Sequence, residues 1–360
     1  MIASASYAIG WVILAITILG WVAYYFANRR SAQAEIGSEI ELAANRKPYY
    51  DDETLEGKRL ERVQLLGVLF LAVLVIVLPF YWILEPGRQA GAVENKDHEF
   101  VTWGSQLYAT TAQGGFNCAG CHGADGGGGA APYTLSDPKT GEVKQVSWAA
   151  PALNTVLYRF DESEVKFILV YGRPFSPMSP WGLAGGGPLN DQQIDTLISK
   201  IKSLQIPRED CAPNETDARV CASGHLPAEE RKRVSDAIDK AAEALVDQGK
   251  YATKEAATGE ALFSLSYASG AYSCARCHTT GWSYGQPGVM GQGALGWNLT
   301  GGVSATHFPN ETDQIAFIKA GSVLGKRYGV QGQGSGRMPG FGALLTDEQI
   351  KAVVEYVRSL

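Results

Sequence analysis

A duplication constrains the fold of this 360-residue chain more than any other feature of its sequence. The pattern Cys-x-x-Cys-His occurs at residues 118–122 and again at residues 274–278, a lag of 156 residues. Self-similarity at a fixed lag indicates that one structural unit occurs more than once. We therefore expect two domains of the same fold, at residues 95–206 and 254–360.

Both copies close with the same helical pattern. Residues 189–194 match residues 345–350 at the lag of 156, and Asn190 and Thr346 suit the N-cap position of a helix. Apolar side chains then follow at helical spacing in both copies. The sequence therefore predicts a mainly α-helical fold in which an amphipathic helix ends each domain.

Two apolar runs precede the first copy. Residues 7–27 include no charged side chain, and residues 63–84 include Gln64 as their only clearly polar member. About 20 apolar residues are enough for a helix to cross the hydrocarbon core of a bilayer. We therefore predict two transmembrane helices, within residues 1–28 and 63–84, which contact the lipid bilayer directly.

Basic residues predict the orientation of these helices. The loop at residues 29–62 holds seven Lys and Arg residues, whereas residues 1–28 hold none. Because Lys and Arg are enriched in cytoplasmic loops, the loop is expected in the cytoplasm, with the N-terminus and both repeated domains outside the cell membrane. The net charge of −6 gives no basic footprint for nucleic acid, which excludes that class of partner.

A connector at residues 207–253 separates the copies. It holds Cys211 and Cys221, followed by a charged, alanine-rich stretch at residues 227–248 that predicts a helix. Since thiols oxidise outside the cytoplasm, we predict a disulfide between the two cysteines. A redox-active pair is the alternative, although their spacing is not Cys-x-x-Cys.

The duplicated motif has a specific chemistry. Cys-x-x-Cys-His is the attachment pattern of c-type haem, in which the histidine supplies one axial nitrogen to iron. A zinc site pooling the four cysteines and a disulfide within each motif are the alternatives, and the histidine that follows each pair favours haem. The sequence thus predicts two covalently bound haem c groups, held by Cys118, Cys121 and His122 and by Cys274, Cys277 and His278.

Methionines are the candidates for the second axial ligand of each iron. Of the four in the chain, Met178 and Met338 occupy matching positions shortly before the final helix of each copy. We predict that they bind the two irons, with Met290 as the rival in the second copy. His98, His225 and His307 have no counterpart at the lag and are interpreted as surface residues.

Both copies resemble class I cytochrome c domains over about 220 of the 360 residues. They share with that family a glycine, a leucine and an aromatic residue in the N-terminal helix (residues 104–108 and 259–263), the Cys-x-x-Cys-His motif, a methionine loop and a C-terminal helix. The resemblance implies that the carbonyl of a proline, here Pro151, orients the first axial histidine. The second copy has Gly-Trp-Asn-Leu at residues 296–299 in the corresponding place.

The order of the segments is similar to that of the dihaem c-type subunit of cbb-type cytochrome oxidases. The dihaem c subunits of quinol:cytochrome c reductases have comparable domains. Either resemblance implies a respiratory subunit that passes single electrons from quinol oxidation toward a haem-copper terminal oxidase. Its expected partners are integral-membrane subunits: a b-type cytochrome, an iron–sulfur protein or the haem-copper oxidase itself.

Ligation of both irons by His and Met leaves no open coordination site, so we expect electron transfer and no catalytic residue of the chain's own. Two alternatives remain open at this point. One is the electron-accepting subunit of an extracytoplasmic dehydrogenase. The other is a dihaem peroxidase, which requires one iron with a free or labile position.

Overall fold

A computed structural model describes residues 2–32, 58–136, 139–215 and 217–360. The chain divides into two compact units, Met1–Lys96 and Asp97–Leu360. Most of the predicted cytoplasmic loop, residues 33–57, lies outside the described residues. The prediction for that loop therefore stays a prediction.

The two apolar runs lie in helices α1 (Ile2–Ala32) and α2 (Lys58–Tyr108). Helix α2 does not stop where the apolar run ends at Leu84 but continues to Tyr108, with Pro79 and Pro86 inside it. Within the first unit, the rings of Trp11 and Phe80 pack edge to face, with centroids 6.3 Å apart.

In the described part of the chain, one helix is long and apolar enough to cross a membrane, and it starts at Leu60 in α2. Its apolar side chains are exposed, as lipid-facing side chains are: Phe70 is 69% exposed and Trp82 is 68% exposed. The apolar stretch described in α1, Leu14–Ala27, is shorter than a span. The first transmembrane helix therefore remains a prediction.

The first repeat continues from the end of α2 with short helices and one β-hairpin, which the sequence did not predict. Strands β1 (Gly129–Ser136) and β2 (Val143–Ala150) pair antiparallel, with Gly129 opposite Ala150 and Ser136 opposite Val143. The remaining elements of this repeat are α3 (Cys118–His122), α4 (Val156–Arg159), α5 (Glu162–Tyr171) and α6 (Asp191–Leu204).

The connector forms helix α7 (Ala228–Asp247), as predicted, and Cys211 and Cys221 form the predicted disulfide. The helix is more than a solvated spacer. Val234 and Ile238 are each 1% exposed and belong to the hydrophobic core of the second repeat. The connector therefore packs as part of that domain.

The second repeat is also mainly helical. Its elements are α8 (Lys254–Phe263), α9 (Tyr267–Gly270), α10 (Ala275–His278), α11 (Val303–His307), α12 (Glu311–Ala320), β3 (Arg327–Tyr328), β4 (Gly332–Gln333) and α13 (Asp347–Ser359). The two short strands pair antiparallel.

Helices α6 and α13 close the two repeats and confirm the predicted caps. In α6 the side chain of Asn190 accepts a hydrogen bond from the Gln193 amide, and Gln193 bonds back to the N-cap backbone. Thr346 and Gln349 make the same capping box in α13. Each helix buries an apolar face: Ile194, Leu197, Ile198 and Ile201 in the first, and Ile350, Val353, Val354 and Val357 in the second.

The two repeats contact one another directly within the second unit. The amide of Ala152 donates a hydrogen bond to the carbonyl of Ala268 (3.1 Å), and the amide of Gly340 donates to the carbonyl of Arg159 (3.1 Å). Tyr158 of the first repeat lies in the hydrophobic core of the second. The repeats therefore form one packed body, in which the relative position of their motifs is defined.

Candidate functional site

The first Cys-x-x-Cys-His motif forms the short helix α3, which lies against a large cavity. Cys118, Cys121 and His122 line this cavity together with Met178, which is 56 residues further along the chain. The cavity has about 1530 Å³ of space, part of it open to solvent, and mostly apolar walls. The structure thus brings all four predicted ligands of the first site to one space.

A backbone carbonyl orients His122. Its Nδ1 lies 2.8 Å from the carbonyl oxygen of Pro151, the contact that the resemblance implies. Because Nδ1 is held in this bond, Nε2 is the ring nitrogen available to a metal. Burial lowers the pKa of His122, which favours the neutral imidazole that iron ligation needs.

The second motif has the same arrangement with a different partner. Nδ1 of His278 lies 2.7 Å from the carbonyl oxygen of Trp297, whose side chain is 83% exposed. His278 itself is 9% exposed, and burial lowers its pKa. The backbone of residue 297 therefore replaces the proline of the first repeat, which the sequence alone did not reveal.

Gly296 makes the position of the His278 ring possible. A Cβ atom at residue 296 would lie 2.6 Å from Cε1 of the ring and 2.9 Å from Nε2, closer than real Cβ contacts. The imidazole therefore packs directly on the glycine backbone, and a side chain there would displace it.

The methionine loops of the two repeats have the same backbone design. Gly172 caps the C-terminus of helix α5 and Gly321 caps that of helix α12, both with positive φ. The amide after each glycine then donates to the methionine carbonyl: Arg173 to Met178 (2.8 Å) and Ser322 to Met338 (2.9 Å).

This shared geometry separates Met338 from its rival. Met290 has no such glycine turn, and its sulfur accepts a hydrogen bond from the Thr279 hydroxyl at 3.6 Å. Thr279 directly follows His278 in the sequence, so the sulfur of Met290 is bonded to a neighbour of this histidine. Met338 has the same local fold as Met178, so it stays the prediction for the second methionine ligand.

The cysteines do not form a metal cluster of their own. Among the residues that the structure describes, no group of three or more His, Cys, Asp and Glu side chains is arranged to hold a metal ion. Burial raises the pKa of the Cys118 thiol to about 11 and that of Cys274 to about 12. A zinc site needs such a group of side chains, so its absence from the described residues argues against the pooled zinc site.

The donor set fits haem c. Each motif provides two cysteines for thioether bonds and a histidine whose Nδ1 contacts a backbone carbonyl oxygen. Each repeat also has a methionine on a loop of matching geometry. In the first repeat these groups share one mostly apolar cavity, the environment that a flat macrocycle needs.

Comparison with protein families agrees with this reading. Residues 101–205 match the cytochrome c family, and residues 254–357 match the family described as cytochrome c oxidase, cbb3-type, subunit III. No curated protein and no solved structure gives a significant match. Cytochrome c domains imply covalently bound haem c and an electron-transfer role. The chain therefore has two cytochrome c domains in tandem and is a class I cytochrome c similar to the cbb3-type subunits.

Proposed function

We propose that the chain is a membrane-anchored dihaem subunit of a respiratory complex, which passes single electrons from quinol oxidation toward a haem-copper terminal oxidase. The observation that supports it most is the repetition of one ligand geometry, a carbonyl-bound histidine and a methionine on a glycine turn, in both domains. The match of residues 254–357 to a cbb3-type oxidase subunit adds the respiratory context.

The two motifs and the matching methionine loops support the proposed ligands. The first haem is attached at Cys118 and Cys121 and the second at Cys274 and Cys277. His122 with Met178 would hold the first iron, and His278 with Met338 would hold the second. Haem c with this ligation supplies one-electron oxidation and reduction at a raised potential.

The protein residues bind and orient the group. The carbonyl oxygens of Pro151 and Trp297 fix the two imidazole planes. Apolar side chains such as Leu169 and Leu197 line the first cavity and limit the access of water to it. A rigid, mostly dry site lowers the reorganisation that accompanies a change of charge.

The anchor is proposed to consist of two transmembrane helices, within residues 1–28 and 63–84, joined by a cytoplasmic loop at residues 29–62. The domains at residues 95–206 and 254–360 then lie on the outer side, linked by residues 207–253. The apolar, exposed surface of α2 and the oxidised Cys211–Cys221 pair support this arrangement. One span is enough to tether a protein, so a second helix favours packing against a partner subunit in the membrane.

Purification from native membranes in mild detergent tests the proposal. We expect b-type haem and an iron–sulfur subunit, a haem-copper oxidase, or both, to co-purify and to appear in the redox difference spectrum and in subunit identification. A c-type spectrum alone would contradict the proposal and favour a free carrier or the acceptor subunit of a dehydrogenase.

A pair of variants separates assembly from electron transfer. Met178→Ala is expected to leave the set of co-purified subunits unchanged and to slow quinol-dependent reduction of the oxidase. Met290→Ala is the matched control, because it removes a similar side chain outside the proposed ligand set. Equal electron-transfer rates in the two variants would show that Met178 is not an iron ligand on the path.

A further inference from the structure

Three arginines gather at the cavity of the first repeat. Arg159, Arg173 and Arg276 all line it, and the residues that form its wall include no aspartate and no glutamate. Arg159 and Arg173 belong to the first repeat. Arg276 belongs to the second, where it lies between the two cysteines of the second motif.

Backbone carbonyls accept hydrogen bonds from two of these three guanidinium groups. Arg159 is 9% exposed, and its Nη2 donates to the carbonyl of Ala152 (2.8 Å). Nη1 of Arg276 donates to the carbonyl of Ser269 (3.1 Å). Among the described residues, none of the three arginines forms an ion pair: no carboxylate oxygen lies within 4.0 Å of their side-chain nitrogens.

Such a cluster is costly without an anion. Burial lowers the pKa of Arg159 to about 10, which reflects the loss of solvation of its charge. The neighbouring guanidiniums add mutual repulsion, and Glu164 acts on Arg173 from a distance without contact. Buried cations are normally paired with anions, and guanidinium forms its strongest hydrogen bonds with carboxylates.

The group that the cavity is built to hold supplies carboxylates of its own. Haem has two propionate side chains at one edge of the macrocycle. A cavity lined by His122 and Met178, with arginines and no acidic residue, matches both the apolar body and the anionic edge of that group.

The backbone fixes Arg276 at this position. The amide of Ala152 donates to the carbonyl of Ala268, one residue before the Ser269 carbonyl that holds Arg276. Gly128 permits this approach, because a Cβ atom there would lie 2.9 Å from the hydroxyl oxygen of Ser269. The first repeat thus presents its cavity to a specific residue of the second.

We propose that Arg276 binds a propionate carboxylate of the haem in the first domain, so that the second domain completes the first haem site. Cys277 lines the same cavity, so the two attachment motifs meet at this interface. The same contact therefore links the two cofactors and shortens the path between them. The proposal needs two bound haems but does not depend on which respiratory complex contains the chain.

Spectroelectrochemical titration of the full chain in detergent tests it. The variant Met178→His first lowers the potential of one haem and so marks the haem of the first domain. In this background, Arg276→Gln is expected to lower the potential of the marked haem further, because a lost positive charge disfavours the reduced iron. We expect a shift of at least tenfold in its redox equilibrium, or about 59 mV for one electron.

Two further variants keep the test decisive. Arg276→Lys retains the positive charge but lacks the planar guanidinium group, and it is expected to shift the potential of the marked haem less than Arg276→Gln does. Arg327→Gln removes an exposed arginine of the same domain and is expected to leave the marked haem unchanged. Haem content is measured in every variant to confirm that both haems are bound.

The contrary results are equally clear. A marked haem whose potential is the same in Arg276→Gln and Arg327→Gln would overturn the proposal, even if the second haem shifts. So would an Arg276→Lys shift as large as that of Arg276→Gln. Failure of respiratory subunits to co-purify would instead contradict the proposed function and leave this inference intact.

Discussion

Gly259→Ala is expected to destabilise the second domain, because the added methyl group forces helices α8 and α13 apart. Gly259 lies on α8 where this helix crosses α13. A Cβ atom at residue 259 would be 2.7 Å from Cβ of Tyr356, and it would be closer still to the carbonyl oxygen of Ala352. Gly104 has the same relation to Thr196 in the first domain, so this crossing is a feature of both repeats.

The expected size follows from two opposing terms. Replacing a helical glycine by alanine alone favours the helix by up to about 1 kcal/mol. Ordinary contact begins at 3.4 Å, so the contact with Tyr356 alone requires the helices to separate by about 0.7 Å, and the closer Ala352 carbonyl requires more. Overpacking in a close-packed interface costs about 1–3 kcal/mol, and more where backbone must move. We expect a net loss of about 2 kcal/mol, or roughly 30-fold in the folding equilibrium.

Guanidinium unfolding of the full chain, followed by the haem absorption of the second domain, measures this effect. Gly91→Ala is the control, because residue 91 is also a helical glycine and a Cβ atom there meets nothing within 4 Å. We expect a lower midpoint for Gly259→Ala and no loss for Gly91→Ala. A midpoint for Gly259→Ala equal to or above that of the unmodified chain would refute the reasoning.

Three more predictions follow from the structure. Met338→Ala should lower the potential of one haem, whereas Met290→Ala should not, and the reverse result in a redox titration would assign the ligand to Met290. Reduction of the Cys211–Cys221 disulfide should cost about 2.5 kcal/mol by loop closure, seen as a lower guanidinium midpoint with unchanged haem spectra; an unchanged midpoint would contradict this. The pKa of Glu215 is lowered, first by the Ser223 hydroxyl and then by backbone amides, so its contribution to loop stability is present at neutral pH and is lost as the pH falls through that lowered value. Hydrogen exchange of the amides that bond to Glu215, those of Ala212, Ala222 and Ser223, should become faster as the pH falls, after correction for intrinsic rates. In Glu215→Gln these amides should exchange faster already at neutral pH.

Local sequence signals predicted much of the architecture. The closing helices, their N-caps at Asn190 and Thr346, the connector helix and the disulfide depend on residues close in sequence, and all are found. Met178 lines the same cavity as the first motif, and the repeat alone was enough to single it out, because the same loop recurs in the second copy.

Features set by contacts between distant segments were not predicted. The carbonyl partner of His278 is a backbone atom of Trp297, and backbone carbonyls leave no signal in the residue type. The β1–β2 hairpin follows a glycine-rich run without alternating apolar residues, so its pairing had no pattern to reveal it.

The position of Arg276 depends on the docking of the two domains. One sequence signal pointed to it: the second motif reads Cys-Ala-Arg-Cys-His, with a charged residue where the first has glycine. A charge inside an otherwise apolar attachment motif suggests a partner, but only the packed structure shows that Arg276 lines the cavity of the first repeat.

The central claim is that the chain binds two haem c groups, each with histidine and methionine ligands, and transfers electrons without a substrate site. Haem quantification of the purified full chain, combined with visible and near-infrared spectra before and after carbon monoxide is added to the reduced protein, tests it most directly. The account predicts two haems per chain, a methionine–iron charge-transfer band from both oxidised haems, and no spectral change with carbon monoxide. One haem per chain, or a reduced haem that binds carbon monoxide, would contradict it.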